Sequence, residues 1–131
     1  MKEKLNLADC VEFTGSMSRE GVREKLQHAS AFVLSSRAEA CAQVVLEALS
    51  CGLPVVSTDI MPDDIITPEN GYIVKNDDVD SLYRGMKKII DNYHNFDRKK
   101  IREFAVNNFS YKVVADRIEK ELLHASTCEK H

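Results

Sequence analysis

The chain has 131 residues with 44% hydrophobic and 30% charged content, so it reads as one globular domain able to bury a real core. Its net charge of −3 offers no basic field for nucleic acid, and no apolar run is long enough for a membrane span. The four cysteines (Cys10, Cys41, Cys51 and Cys128) include no Cys-x-x-Cys pair, which fits reduced thiols better than a zinc site or a disulfide framework. The charged start, Met1–Asn6, lacks the apolar centre of a signal peptide, so a cytoplasmic protein is expected.

In chain order, Val11–Gly15 alternates and ends in glycine, predicting a short strand. Ser18 is placed to cap a helix over about Arg19–His28, with Val22, Leu26 and Ala29 on one face. Ala31–Leu34 reads as a buried strand. A helix follows over about Gln43–Ser50, apolar nearly all round and therefore deeply buried. Gly52 falls where a helix end favours positive φ, and Pro54 cannot continue the helix. Pro54–Ser57 and Gly71–Val74 read as further strands.

The rest is helical. Val79, Leu82, Tyr83, Met86, Ile89, Ile90 and Tyr93 recur at helical spacing, with Asp78 as a cap. Asp97 caps a helix to about Asn107, and Ser110 caps a last helix with the stripe Val113, Val114, Ile118 and Leu122. Strands alternating with helices predict an α/β fold: a Rossmann-like parallel sheet of about four strands with helices on both faces. Ligands of such sheets bind at the carboxyl ends of the strands, here Gly15–Met17, Ser35–Gln43 and Thr58–Asp64.

The segment after the second of these strands is the most informative. Glu39 and Glu47 are separated by seven residues, and Ala48, Gly52-x-Pro54 and the valine-rich strand follow. Glu39 lies in the strand-to-helix turn. The first helical N–H groups, near Ala40, Cys41, Ala42 and Gln43, are free and carry the positive end of the helix dipole, a natural seat for a diphosphate. Glu47, about a turn and a half into the helix, can accept two hydrogen bonds from a vicinal diol such as a ribose. Ser36 either caps the turn or meets phosphate. Gly15 either ends its strand or, with Ser16, borders a nucleobase.

The run Ser35–Val56 resembles the signature of the family 4 glycosyltransferases, which have the two-domain GT-B architecture. Val11–Gly15, Asp59–Val74 and Phe109-Ser110 resemble the flanking features of that family, so the likeness covers nearly the whole chain. It implies a partial carboxyl-terminal, nucleotide-sugar-binding domain over residues 1–131. The first two strands and the acceptor-binding domain would lie outside it. It also implies sugar transfer from a nucleotide diphosphate sugar to an acceptor hydroxyl with retention of configuration. Glu39 would be the catalytic contact to the transferred sugar and Glu47 the ribose contact, with Ser36, Ala40, Cys41, Ala42, Gln43, Gly15 and Ser16 completing the donor site. No metal or other cofactor is implied, and Asp63, Asp64, Asp77 and Asp78 read as loop and cap residues. The acceptor, a glycan or lipid-linked sugar, would belong to the other domain, with the full-length enzyme peripheral to the inner membrane.

Three departures stand out. Ala40-Cys41-Ala42 replaces the family's Gly-aromatic-Gly, Ile60-Met61 replaces Gly-Gly, and Ser35 stands where Pro is common. The missing strands would also leave the Ala31–Leu34 edge open. Either Val11–Phe13 moves in beside it, or two chains associate there as a homo-oligomer. A non-catalytic nucleotide-binding or assembly module derived from such an enzyme is the competing function. Another GT-B relative, such as an epimerase or phosphorylase, is a third.

Overall fold

A computed structural model describes residue 7 and residues 9–37, 42–62 and 64–128. The order is α1 (Arg19–His28), β1 (Phe32–Leu34), α2 (Ala42–Ser50), β2 (Val55–Thr58), β3 (Gly71–Val74), α3 (Val79–Asp91), α4 (Arg98–Phe109) and α5 (Tyr111–Cys128). A short 3-10 turn, Tyr93–Asn95, joins α3 to α4. Among the described residues the three strands form one parallel sheet in the order β1-β2-β3.

The expected α/β architecture is present, with three strands in place of about four. Residues 11–15 are not a strand: Val11 and Phe13 are exposed, and Glu12 instead pairs with Lys25 of α1. A strand this short holds its conformation only through ladder hydrogen bonds, and no strand among the described residues lies beside it to supply them. Val11–Phe13 therefore does not close the β1 edge.

The caps follow local chemistry. The side chains of Ser18, Asp78 and Asp97 accept hydrogen bonds from the first free N–H groups of α1, α3 and α4. Helix α4 runs past Asn107 to Phe109, and Ser110 stands in extended conformation between α4 and α5.

The end of α2 is tied most tightly. Leu53 N–H donates to Ala48 O and Gly52 N–H to Leu49 O, with Gly52 at φ +75°, the paired bonds of a Schellman motif. Leu53 and Pro54 then lead into β2, which is buried along its whole length.

The sheet separates two apolar clusters. One joins Leu26 of α1, Val45, Ala48 and Leu49 of α2, Leu53, Val55, Met61, Ile65 and Ile66, and Ile101 and Ala105 of α4. The other joins Val56, Val74 and Ile89, with Ala31, Tyr72, Leu82 and Phe96 packed on it. Helices α1, α2 and α4 thus lie on one face and α3 on the other. Helix α5 touches α4, and its stripe of Val114, Ile118 and Leu122 stays exposed.

Candidate functional site

The carboxyl ends of the strands form a hydrogen-bonded rim. Thr58, at the end of β2, donates its hydroxyl to Ser36 O at 2.7 Å, joining the loops after β1 and β2. Asp59 accepts from Asn76 N–H at 3.0 Å, joining the loops after β2 and β3. Arg37 and Asp77 form an exposed ion pair at 2.6 Å between the loops after β1 and β3. Asp77 sits at φ +54°, a conformation Asp tolerates better than most residues, and its N–H is held by Asn76 Oδ1 at 2.9 Å. Between β2 and β3, buried Asn70 braces the connection. It accepts from Thr67 N–H at 2.8 Å and donates to Ile65 O at 3.1 Å.

A cleft of about 560 Å³ runs between α1 and α2 and reaches the α4–α5 corner. Val22 and Leu26 supply its apolar floor, and Met17, Gln43 and Glu47 line it. Helix α2 places Gln43 and Glu47 one turn apart, and Gln43 Nε2 donates to Glu47 Oε1 at 3.4 Å. The rest of the Glu47 carboxylate faces the exposed side, while Val45, Ala48 and Leu49 of the same helix hold α2 against the sheet. The motif's close helical spacing of apolar and acidic residues is thus what presents a carboxylate on a rigid element.

Arg19, Arg23 and Arg102 also line the cleft, and none of them makes an ion pair among the described residues. Three guanidinium groups beside one carboxylate give a cavity suited to a ligand bearing both anionic groups and hydroxyls. Among the described residues no three His, Cys, Asp or Glu side chains converge as metal ligands.

Of the residues expected at the site, Gln43 and Glu47 line this cleft, and Ala42 opens α2. Ser36 lies half-buried on the rim with its carbonyl engaged by Thr58. Gly15, at φ +64°, and Ser16 are exposed just before Met17, which lines the cleft. Glu39, Ala40 and Cys41 lie outside the described residues, as does Asp63. Cys10 and Cys51 are free thiols.

Arg19, Arg23, Gln27, Arg102 and Tyr111 are cleft residues that the sequence reading does not single out. Arg19, Arg23 and Gln27 recur every four residues on α1, a polar stripe beside Val22 and Leu26 that helical periodicity makes visible. Arg102 and Tyr111 arrive through tertiary packing from far along the chain and carry no local signal.

Residues 1–108 match the family described as "Glycosyl transferases group 1". A human phosphatidylinositol N-acetylglucosaminyltransferase subunit is 31% identical over a stretch covering 92% of this chain and 25% of its own length. The lipopolysaccharide 1,6-galactosyltransferase of Escherichia coli K12 is 29% identical over 97% of this chain and 36% of its own. The chain therefore spans roughly a quarter to a third of the curated relatives it matches. Among solved structures, a sucrose-phosphate synthase from Thermosynechococcus elongatus superposes with a TM-score of 0.80 at 23% identity, covering 97% of this chain and 33% of its own, a likeness of fold. With most of its length matched to one family, the chain belongs to the group 1 glycosyl transferases.

Proposed function

We propose that this chain forms part of the donor site of a family 4 retaining glycosyltransferase that moves a sugar from a nucleotide diphosphate sugar to an acceptor hydroxyl. One observation carries this reading: Glu47, the second acid of the paired-Glu motif, lines a cleft together with Gln43 and three arginines. A carboxylate there accepts both hydroxyls of a ribose. Glu39 is assigned the contact to the transferred sugar.

The diphosphate is assigned to the start of α2, where the first N–H groups favour anions. Leaving-group departure is then driven by electrostatic stabilisation, and no metal is invoked. The acceptor hydroxyl attacks from the face the nucleotide leaves, which retains the anomeric configuration.

Acceptor binding is assigned to the part of the longer relatives that this chain does not span. Two of those relatives are named for transfer to phosphatidylinositol and to lipopolysaccharide, which supports a glycan or lipid-linked acceptor. A cytoplasmic enzyme peripheral to the membrane fits such an acceptor, and no helix among the described residues is long and apolar enough to cross a bilayer.

Calorimetric titration with UDP, GDP and ADP sugars tests the reading. One of the three should bind, and Glu47→Gln should weaken it roughly 10- to 100-fold through loss of a charge-assisted contact. Absence of binding by all three at millimolar concentration would favour a non-catalytic assembly module.

A further inference from the structure

Three cations line the cleft between α1 and α2 and have no part in the proposed donor site. Arg19 and Arg23 stand one turn apart on α1, about 6 Å along its axis, and Gln27 continues the same stripe. Arg102 reaches the cleft from α4. Arg98, one turn earlier on α4, is engaged, donating to Cys51 O at 3.4 Å. The guanidinium groups of Arg19, Arg23 and Arg102 make no hydrogen bond or ion pair among the described residues.

Helix α2 turns its outer face to the cleft. Gln43, Glu47 and Ser50, at spacings of four and three residues, share that face. Val45, Ala48 and Leu49, which hold α2 on the sheet, lie about half a turn around the helix from them. The arginines therefore converge on the solvent side of α2, away from the strands.

Charge decides the class of ligand. Among the described residues that line the cleft, Glu47 is the one carboxylate, so three arginines leave a formal charge of +2 in a chain whose net charge is −3. A concave site lined by one sign of charge focuses its field on counter-ions. A phosphomonoester carries about −1.5 to −2 at neutral pH and three acceptor oxygens, matching both the charge and the guanidinium forks. A carboxylate, or either phosphate of a sugar nucleotide, carries only a single charge. The volume of about 560 Å³ exceeds what a bare phosphate fills, leaving room for a larger body against Val22 and Leu26, with its hydroxyls toward Gln27 and Gln43.

We propose that this cleft binds a phosphomonoester, carried by a free sugar phosphate or by a lipid headgroup, at a site separate from that of the donor diphosphate. Arg23 of α1 and Arg102 of α4 hold the phosphate, and Arg19 strengthens the field. Glu47 is a like-charged neighbour of the ligand, not its anchor. The diphosphate is assigned to the N–H groups at the start of α2, so the two sites use different donors, and this one stands whether or not a sugar nucleotide binds.

Calorimetric titration of the 131-residue chain with galactose 6-phosphate, with galactose as control, tests the free source. Co-sedimentation with phosphatidylcholine vesicles, with and without phosphatidic acid, tests the lipid source. At least one phosphomonoester should bind, and its counterpart without the phosphate monoester should not. Arg23→Gln and Arg102→Gln should each weaken binding about tenfold, with thermal melts unchanged. Glu47→Gln should tighten it about threefold by removing the like charge, the opposite sign to its effect on a sugar nucleotide. Binding of neither phosphomonoester, or binding indifferent to both arginine substitutions, overturns the proposal. Phosphomonoester binding that Glu47→Gln weakens also overturns it and returns the arginines to the donor site.

Discussion

Gly52 joins the helix that carries Glu47 to the rest of the fold, and its substitution by alanine separates two physical effects. The residue sits at φ +75°, and a Cβ built there would lie 2.5 Å from Arg98 O at the start of α4. Gly15 supplies the control: its φ is +64°, and a Cβ there meets nothing within 4 Å. Placing alanine at positive φ costs about 1–2 kcal/mol, partly offset by the stiffer unfolded chain, so Gly15→Ala should lose about 1 kcal/mol or less. Gly52→Ala carries the same strain and must also push a backbone carbonyl aside, which separates α2 from α4 and adds about 1–3 kcal/mol of overpacking.

We expect a total near 3 kcal/mol, a fall in Tm on the order of 10 °C for a chain of this size. Denaturant or thermal melts of the two variants and the parent measure both quantities. Equal losses for Gly15→Ala and Gly52→Ala would refute the claim that the close α2–α4 approach, beyond φ alone, demands glycine at position 52.

Other substitutions test separate parts of the account. Leu49→Ala, at a fully buried position of α2, should cost about 3 kcal/mol in a chemical melt. Asn70→Ala removes the partners of half-buried Thr67 N–H and buried Ile65 O and should cost about 2–4 kcal/mol, with faster amide exchange at Thr67. The Thr67 side-chain hydrogen bond, first among its causes, holds the Glu69 carboxyl below its ordinary value of 4.5. A depressed folded value means the stabilisation is present above pH 4.5 and is lost as pH falls through the folded value. The parent should therefore lose more stability than Glu69→Gln between about pH 6 and about pH 3 in pH-dependent melts.

Elements whose cause is local were legible in the sequence. Ser18, Asp78 and Asp97 cap the helices they precede, because an N-cap needs only a short polar side chain and the next turn. Gly52 and the apolar run of α2 set the end of that helix and its burial. Elements whose cause lies across the sheet were not legible in the same way. The Val11–Gly15 pattern has the alternation of a strand but no neighbour among the described residues to ladder with, and residues 11–15 stay exposed.

The site divides along the same line. Gln43 and Glu47 could be placed on one helix face from their spacing, and both line the cleft. Its arginines come from α1 and α4, and only packing brings Arg102 beside Arg19 and Arg23. The α3 stripe was visible as periodicity. Its division into a buried flank around Gly85 and an exposed flank around Tyr83 depends on how many strands lie beneath it.

We have proposed that Glu47 belongs to a site for a nucleotide diphosphate sugar. Amide chemical shifts of the chain, followed during titration with the sugar nucleotide that binds, locate that site directly. The largest shifts should fall at Met17, Gln43 and Glu47 and at the start of α2, and should be lost in Glu47→Gln. Shifts confined to other surfaces, or shifts that persist unchanged in Glu47→Gln, would contradict it.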